Sequence, residues 1–225
     1  MTAVIKKERP ILFSGPMVRA ILAGQKTVTR RVADFSQPSG RNGYWPAMVD
    51  GVPKLIVDGN RSNDVVLRCP YGIPCDRLWV REPFYPHDGF VTYMADCLPG
   101  RVSGLKFKPS IHMPRKLSRI NLEIVSVGVE RVQDISREDV LAEGTPISYT
   151  EHGRPCLRLT GKWLPSDYMQ PGTIERGTML ITDAADFERA HFASLWDSIN
   201  HERGFGWAMN PWVWSVRFKR VKETR

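Results

Sequence analysis

Hydrophobic and polar positions along this chain repeat with two periods, and they mark out a few short helices among more numerous strands. Ser14-Gly15-Pro16 predicts the start of a helix: Ser14 suits the cap, Pro16 the first turn, and Gly24 the end. Val18, Ile21 and Leu22 fall on one face of it. Residues 76–82 alternate like a strand, after the turn signal Gly72-Ile73-Pro74. Residues 120–132 predict another strand. Ser136-Arg137-Glu138-Asp139 then has the form of a capping box, opening a helix that Gly144 ends. The clearest helical spacing follows Asp183-Ala184-Ala185-Asp186, where Phe187, Phe192, Leu195, Trp196 and Ile199 recur at helical intervals. The last segment, 212–219, alternates strictly, with Trp212, Trp214, Val216 and Phe218 on one face.

Two stretches break this patterning. Residues 34–70 are rich in Gly, Pro, Asn and Ser with one apolar run at 54–58, which reads as a long insertion with room for a hairpin. Residues 145–182 read as a second, loop-like insertion. With strands in the majority, an α+β chain forming a small β-barrel with short flanking helices is expected, rather than a doubly wound sheet. The expected organisation is a single domain over residues 1–225 with insertions at about 34–70 and 145–182.

Composition narrows the class. Of 225 residues, 42% are apolar and 25% charged, which argues against wholesale disorder. No stretch is long and apolar enough to cross a membrane, and the charged Ile5-Lys6-Lys7-Glu8-Arg9-Pro10 does not read as a signal peptide. Cys69, Cys75, Cys97 and Cys156 lack both disulfide density and CxxC spacing, so reduced thiols and a cytoplasmic location are expected. Cys69 and Cys75 are six apart, His87 and His112 lack neighbours at ligand spacing, and His191 and His201 are ten apart. Neither a metal nor another cofactor is expected.

Charge adds a partner. The net +8 is uneven: residues 1–31 carry +6, residues 215–225 carry +4, and the rest sum to −2. If the ends meet, they form a basic patch suited to a polyanion; basic termini that only aid solubility are the alternative. Residues 98–121 contain no acid but hold Arg101, Lys106, Lys108, Arg115, Lys116 and Arg119. That segment either tracks a phosphate backbone or is a solvated face. Trp207, in the loop Gly204-Phe205-Gly206-Trp207-Ala208-Met209-Asn210-Pro211, either stacks on a base or plugs one end of the barrel. Asn200 either reads a base edge or ends its helix.

The segment Gln25-Lys26-Thr27-Val28-Thr29-Arg30-Arg31 is the most unusual, being too polar for core. Its side chains suit a solvated basic loop or a phosphate contact. Lys26 and Thr29, three apart, also meet in a tight turn, and a lysine beside a hydroxyl is one way to activate a nucleophile. Neighbouring Arg30 and Arg31 would lower the lysine pKa.

The stretch Ile21-Leu22-Ala23-Gly24-Gln25-Lys26-Thr27-Val28-Thr29-Arg30-Arg31 resembles the signature of the ASCH family, whose fold is a PUA-like β-barrel. That signature is a Gly, a Lys, an acidic or hydroxyl residue, and an Arg, matched here by Gly24, Lys26, Thr29 and Arg31. Thr29 stands where the family usually has Glu, which is similar to its N4-acetylcytidine amidohydrolase branch. Pro74-Cys75-Asp76-Arg77-Leu78 resembles that branch's Gly-Asp strand entry, with Cys75 in place of Gly. The helix ending at Glu143 and the strand Trp214-Ser215-Val216-Arg217-Phe218-Lys219 resemble it too. The resemblance covers about half the chain, and the whole pattern is also similar to larger phage and prophage ASCH proteins.

The resemblance implies a hydrolase that removes an acyl group from the N4 amine of a modified cytidine, as nucleoside or nucleic acid, with RNA ahead of DNA. Thr29 is then the nucleophile, Lys26 its proton acceptor, and Glu143 the residue that orients the lysine or relays the proton. Backbone N–H groups near residues 27–30 or the Arg31 guanidinium would bind the oxyanion. Arg30, Arg31, Trp207, Lys106, Lys108 and Arg115 are the expected substrate or nucleic-acid contacts. The alternative is a non-catalytic module binding RNA or a modified nucleotide, and the third reading is a ribonuclease.

Overall fold

The alternating segments become strands that pair with one another. In chain order they are β1 (Glu8–Leu12), β2 (Val28–Val32), β3 (Tyr44–Val49), β4 (Val52–Val57), β5 (Val65–Val66), β6 (Arg77–Arg81), β7 (Phe84–His87), β8 (Phe90–Tyr93), β9 (Asn121–Arg131), β10 (Ser148–Tyr149), β11 (Pro155–Leu159), β12 (Lys162–Pro165) and β13 (Trp212–Val221). Three α-helices accompany them: α1 (Gly15–Leu22), α2 (Arg137–Ala142) and α3 (Ala184–Asn200). This computed structural model describes residues 6–33, 44–57, 65–97, 104–144, 148–149, 155–159, 162–165 and 184–221, with backbone alone at 44–45, 55–57, 65, 148–149, 155–159, 162–165 and 184–187. The fold is α+β with strands in the majority.

A five-stranded sheet in the order β1-β6-β9-β13-β2 forms the centre. β1 runs parallel to β6, and the other pairs are antiparallel. β13 is its spine, pairing with both β9 and β2. A bulge where Phe218 pairs with Ile124 leaves Val125 out of register, bending the long β9–β13 ribbon. β1 and β2 are the two edges, and the described strands are not closed into a barrel. One side chain bridges the edges: Arg31 of β2 donates to the Leu12 carbonyl of β1 at 2.6 Å.

Apolar alternation on β13 divides the core. Trp214, Val216 and Phe218 face a cluster with Ile11, Leu78, Val80, Leu122, Ile124 and, from α1, Val18 and Ile21. Val213 faces the opposite way, into a second cluster with Val132, Ile135, Val140, Phe192 and Trp196. The sheet is therefore buried on both faces here, with α2 and α3 covering the second. α1 starts and stops as its sequence predicts, Gly24 taking φ +75°, although the Ser14 side chain makes no cap hydrogen bond. In α2 the predicted cap forms, Ser136 accepting the Asp139 N–H at 3.2 Å. Asp183 and the Phe187 side chain lie outside the described residues.

The first insertion holds the hairpin its sequence left room for, and the second differs from expectation. In the first, β3 and β4 form a hairpin across Asp50-Gly51, both left-handed as a two-residue turn requires, and β5 adds a third strand. The second is not only loop: β10, β11 and β12 make a three-stranded sheet. Residues 34–43, 58–64, 98–103 (with Arg101) and 166–183 lie outside the described residues.

Candidate functional site

β2 is an edge strand, and its geometry sets the site. Phe218 N–H donates to the Thr27 carbonyl and Ala33 N–H to the Trp212 carbonyl, each at 2.9 Å. By the two-residue alternation of an antiparallel ladder, Thr29 and Arg31 turn their backbone groups toward β13, whereas Val28, Arg30 and Val32 turn theirs outward. Along that free edge runs a cleft of about 140 Å³, lined by Thr29, Arg30, Arg31, Glu143, Tyr71 and, from the end of α3 and beyond, Trp196, Asn200 and Arg203. It is smaller than the roughly 300–1,000 Å³ of pockets for drug-sized ligands. One ring, or one end of a longer molecule, fits it.

Behind the cleft lies a buried ion pair. Gly144, at φ +67°, turns the chain out of α2, and the preceding Glu143 points back toward β2. Lys26 Nζ donates to the Glu143 carboxylate at 2.5 Å, to the Glu143 carbonyl at 2.8 Å and to the Val28 carbonyl at 2.9 Å. All three ammonium protons thus have acceptors, none of them Thr29. The Lys26 side chain is fully buried and Glu143 nearly so. Burial pushes the Lys26 pKa below the usual lysine range; Glu143 opposes this, and Arg31 and Arg30 add to it. Glu143 faces the cleft, and Lys26 sits behind it.

Of the expected site residues, Thr29, Glu143, Arg30 and Arg31 therefore meet in one cleft, with Lys26 at its back. Thr29 is buried, and among the described residues its hydroxyl has no hydrogen-bond partner. Arg30 is occupied by carboxylates: Glu130 at 2.7 Å, Asp139 at 2.5 Å and Glu143 at 3.5 Å. Arg217 of β13 holds the other Asp139 oxygen. This cluster clamps α2 to the sheet. Arg31 stacks over the Phe13 ring at 5.2 Å, and its Nε is buried without a partner.

The remaining expected contacts lie elsewhere. Trp207 packs edge-on against Phe192, with centroids 6.0 Å apart, and Arg189 lies over it; it belongs to the second core cluster. Arg115 pairs with Glu8 at 3.0 Å, and Arg119 is held by Glu82 and Asp96. Lys106 and Lys108 are exposed. Asn200 lines the cleft, donating to the Trp196 carbonyl and accepting from Arg203, each at 3.2 Å.

Tyr71, Arg203 and Asp139 are cleft or clamp residues that sequence patterning misses. Tyr71 and Arg203 sit in irregular segments without periodicity; Asp139 reads only as part of the capping box. The described cysteines Cys69, Cys75 and Cys97 are free, and among the described residues no three His, Cys, Asp or Glu gather to hold a metal. No described helix is long and apolar enough to cross a membrane. No family model, curated protein or solved structure matches this chain.

Proposed function

We propose that the chain is an ASCH-type amidohydrolase that removes an acyl group from the N4 amine of a cytidine derivative. The observation that carries this reading is the meeting of Thr29, Glu143 and Lys26 around one small cleft. Lys26 and Thr29 are close in sequence, Glu143 lies 117 positions from Lys26, and the resemblance assigns all three to one site. The PUA-like barrel belongs to the same proposal, supported by the strand order and by Arg31 spanning the two sheet edges. So does a cytoplasmic location, supported by free thiols.

In the proposed reaction Thr29 Oγ1 attacks the acyl carbonyl carbon. Its proton passes to the Lys26–Glu143 pair, whose cleft-facing member is the carboxylate. The outward N–H of Arg30 binds the oxyanion. Collapse of the tetrahedral intermediate breaks the C–N4 bond as the pair returns the proton to the leaving amine. Water then cleaves the acyl-Thr29 ester, releasing a carboxylic acid. The pair works as a proton-sharing unit, because Nζ alone has no vacant acceptor in this arrangement.

Thr29→Ala is expected to cut hydrolysis of N4-acetylcytidine, followed by absorbance, by about 10³-fold or more while leaving circular dichroism and melting unchanged. Wild-type turnover in that variant sinks the proposal.

One observation favours binding to RNA as a second reading. Tyr85, His87 and Phe90 of the β7–β8 hairpin form an aromatic row with Phe107 of the segment beside it, with Phe90 72% exposed and Lys106 and Lys108 flanking Phe107. Exposed rings between cations suit unstacked bases. Phe90→Ala is expected to weaken single-stranded RNA binding by about 1–3 kcal/mol, the usual worth of one stacked base. Unchanged affinity in a filter or anisotropy assay removes this surface from consideration.

A further inference from the structure

Charge is not balanced around the cleft. Three arginines and one carboxylate line it, leaving two positive charges. The cations and carboxylates behind it cancel: Lys26 and Arg217 stand against Asp139 and Glu130. Arg30 is engaged by three carboxylates, and Lys26 by one. Arg31 and Arg203, by contrast, have no carboxylate partner among the described residues. Arg31 donates only to the Leu12 carbonyl, rests on Phe13, and keeps a buried Nε donor unused. Arg203 is tethered by Asn200, itself buried, at the opposite wall. Tyr71, a neutral phenol on the same lining, offers a further donor.

From this arrangement we infer that the cleft binds a phosphate monoester, so that the substrate is an N4-acylcytidine monophosphate rather than the free nucleoside. The inference rests on the amidohydrolase reading for the base but on Arg31, Arg203 and Tyr71 for the phosphate. Magnitude favours this anion. A phosphate monoester carries roughly −1.5 to −2 at neutral pH and so meets the two unbalanced charges, whereas a carboxylate or one diester leaves one over. Guanidinium forks also match phosphate oxygens in pairs. Hydrolysis itself still breaks only the C–N4 bond; the phosphate is a handle and is not transferred.

The test compares kcat/KM for N4-acetylcytidine 5′-monophosphate, N4-acetylcytidine and a short acetylated oligonucleotide, in wild type and in Arg203→Gln. The expected result is at least a tenfold preference for the monophosphate, expressed in KM and shrinking in Arg203→Gln and at high salt. Equal kcat/KM for monophosphate and nucleoside overturns the phosphate inference while leaving the hydrolase intact. Preference for the oligonucleotide also overturns it. If nothing is hydrolysed, the catalytic reading fails, and calorimetry with CMP and cytidine decides the phosphate alone. CMP binding at least tenfold tighter, with the advantage lost in Arg203→Gln, supports the inference; equal binding overturns it.

Discussion

At the scale of single residues, Lys26 determines what the site is able to do. A lysine with every proton donated inside the protein is fixed in place, and Glu143 is the partner that offsets part of the cost of its burial. Removing one member of such a pair strands the other charge. Lys26→Met is therefore expected to destabilise the fold by about 3–5 kcal/mol, with Glu143 left only its longer contact to Arg30 at 3.5 Å. Adding Glu143→Gln removes that charge, so the double variant should recover part of the loss. Urea unfolding of both singles and the double gives the coupling, and strict additivity would show that the pair does not interact. This part of the site was only half legible. The three-residue spacing pointed to contact between Lys26 and Thr29, but the Nζ hydrogen bonds go instead to Val28 and to Glu143, a residue 117 positions away. Local spacing cannot register a competitor that tertiary packing delivers.

Among elements, the exit from α2 governs how Glu143 is aimed. Gly144 sits at φ +67°, and a Cβ there would come within 2.7 Å of the Lys26 Cβ and 2.8 Å of the Ala20 Cβ. These neighbours belong to α1 and to the turn before β2, so neither moves without moving backbone. Gly144→Ala is expected to cost about 2–4 kcal/mol, adding left-handed strain to overpacking. Hydrolytic activity should fall with it as Glu143 shifts. A melting temperature equal to wild type would refute this account of the turn. Gly144 was legible as a helix end; its role as a close-packing point was not, because nothing in 136–144 indicates α1 as a neighbour. The strands show the same division. β6, β9 and β13 follow from alternation, since each presents an apolar face to the core. The β10–β12 sheet did not, because its short strands lie in a stretch with no sustained period. Tyr71 enters the cleft from an irregular segment, and only the folded sheet brings it beside β2.

For the molecule as a whole, charge placement links the chain ends and sets the acid limit of stability. The two basic ends do meet: Lys6 and Lys219 both pair with Glu123 of β9, at 2.7 and 2.9 Å, and hold its pKa at about 2. That pairing is solvent-exposed and contributes little to stability. Two other carboxylates matter more. Burial pushes the Asp139 pKa upward, but hydrogen bonds and charge from Arg30 and Arg217 outweigh it, and the net shift is downward. Asp76 behaves alike, where Arg9 and the Lys7 and Ile73 N–H groups outweigh burial. Asp139 joins β2, α2 and β13; Asp76 joins the start of β1 to the turn before β6. A carboxylate with a depressed folded pKa binds fewer protons folded than unfolded. Its stabilisation is complete above the ordinary aspartate value of about 3.9 and is lost as pH falls through the lower folded value. Urea midpoints should therefore be flat from pH 7 to 5 with respect to these groups and fall steeply below pH 4. Asp139→Asn is expected to be less stable at pH 7, because Arg30 and Arg217 lose their shared anion, and to show a shallower decline in acid. A variant whose acid decline matches the wild type would mean that Asp139 titrates alike in the folded and unfolded chain, and that its ion pairs with Arg30 and Arg217 do not set the acid limit.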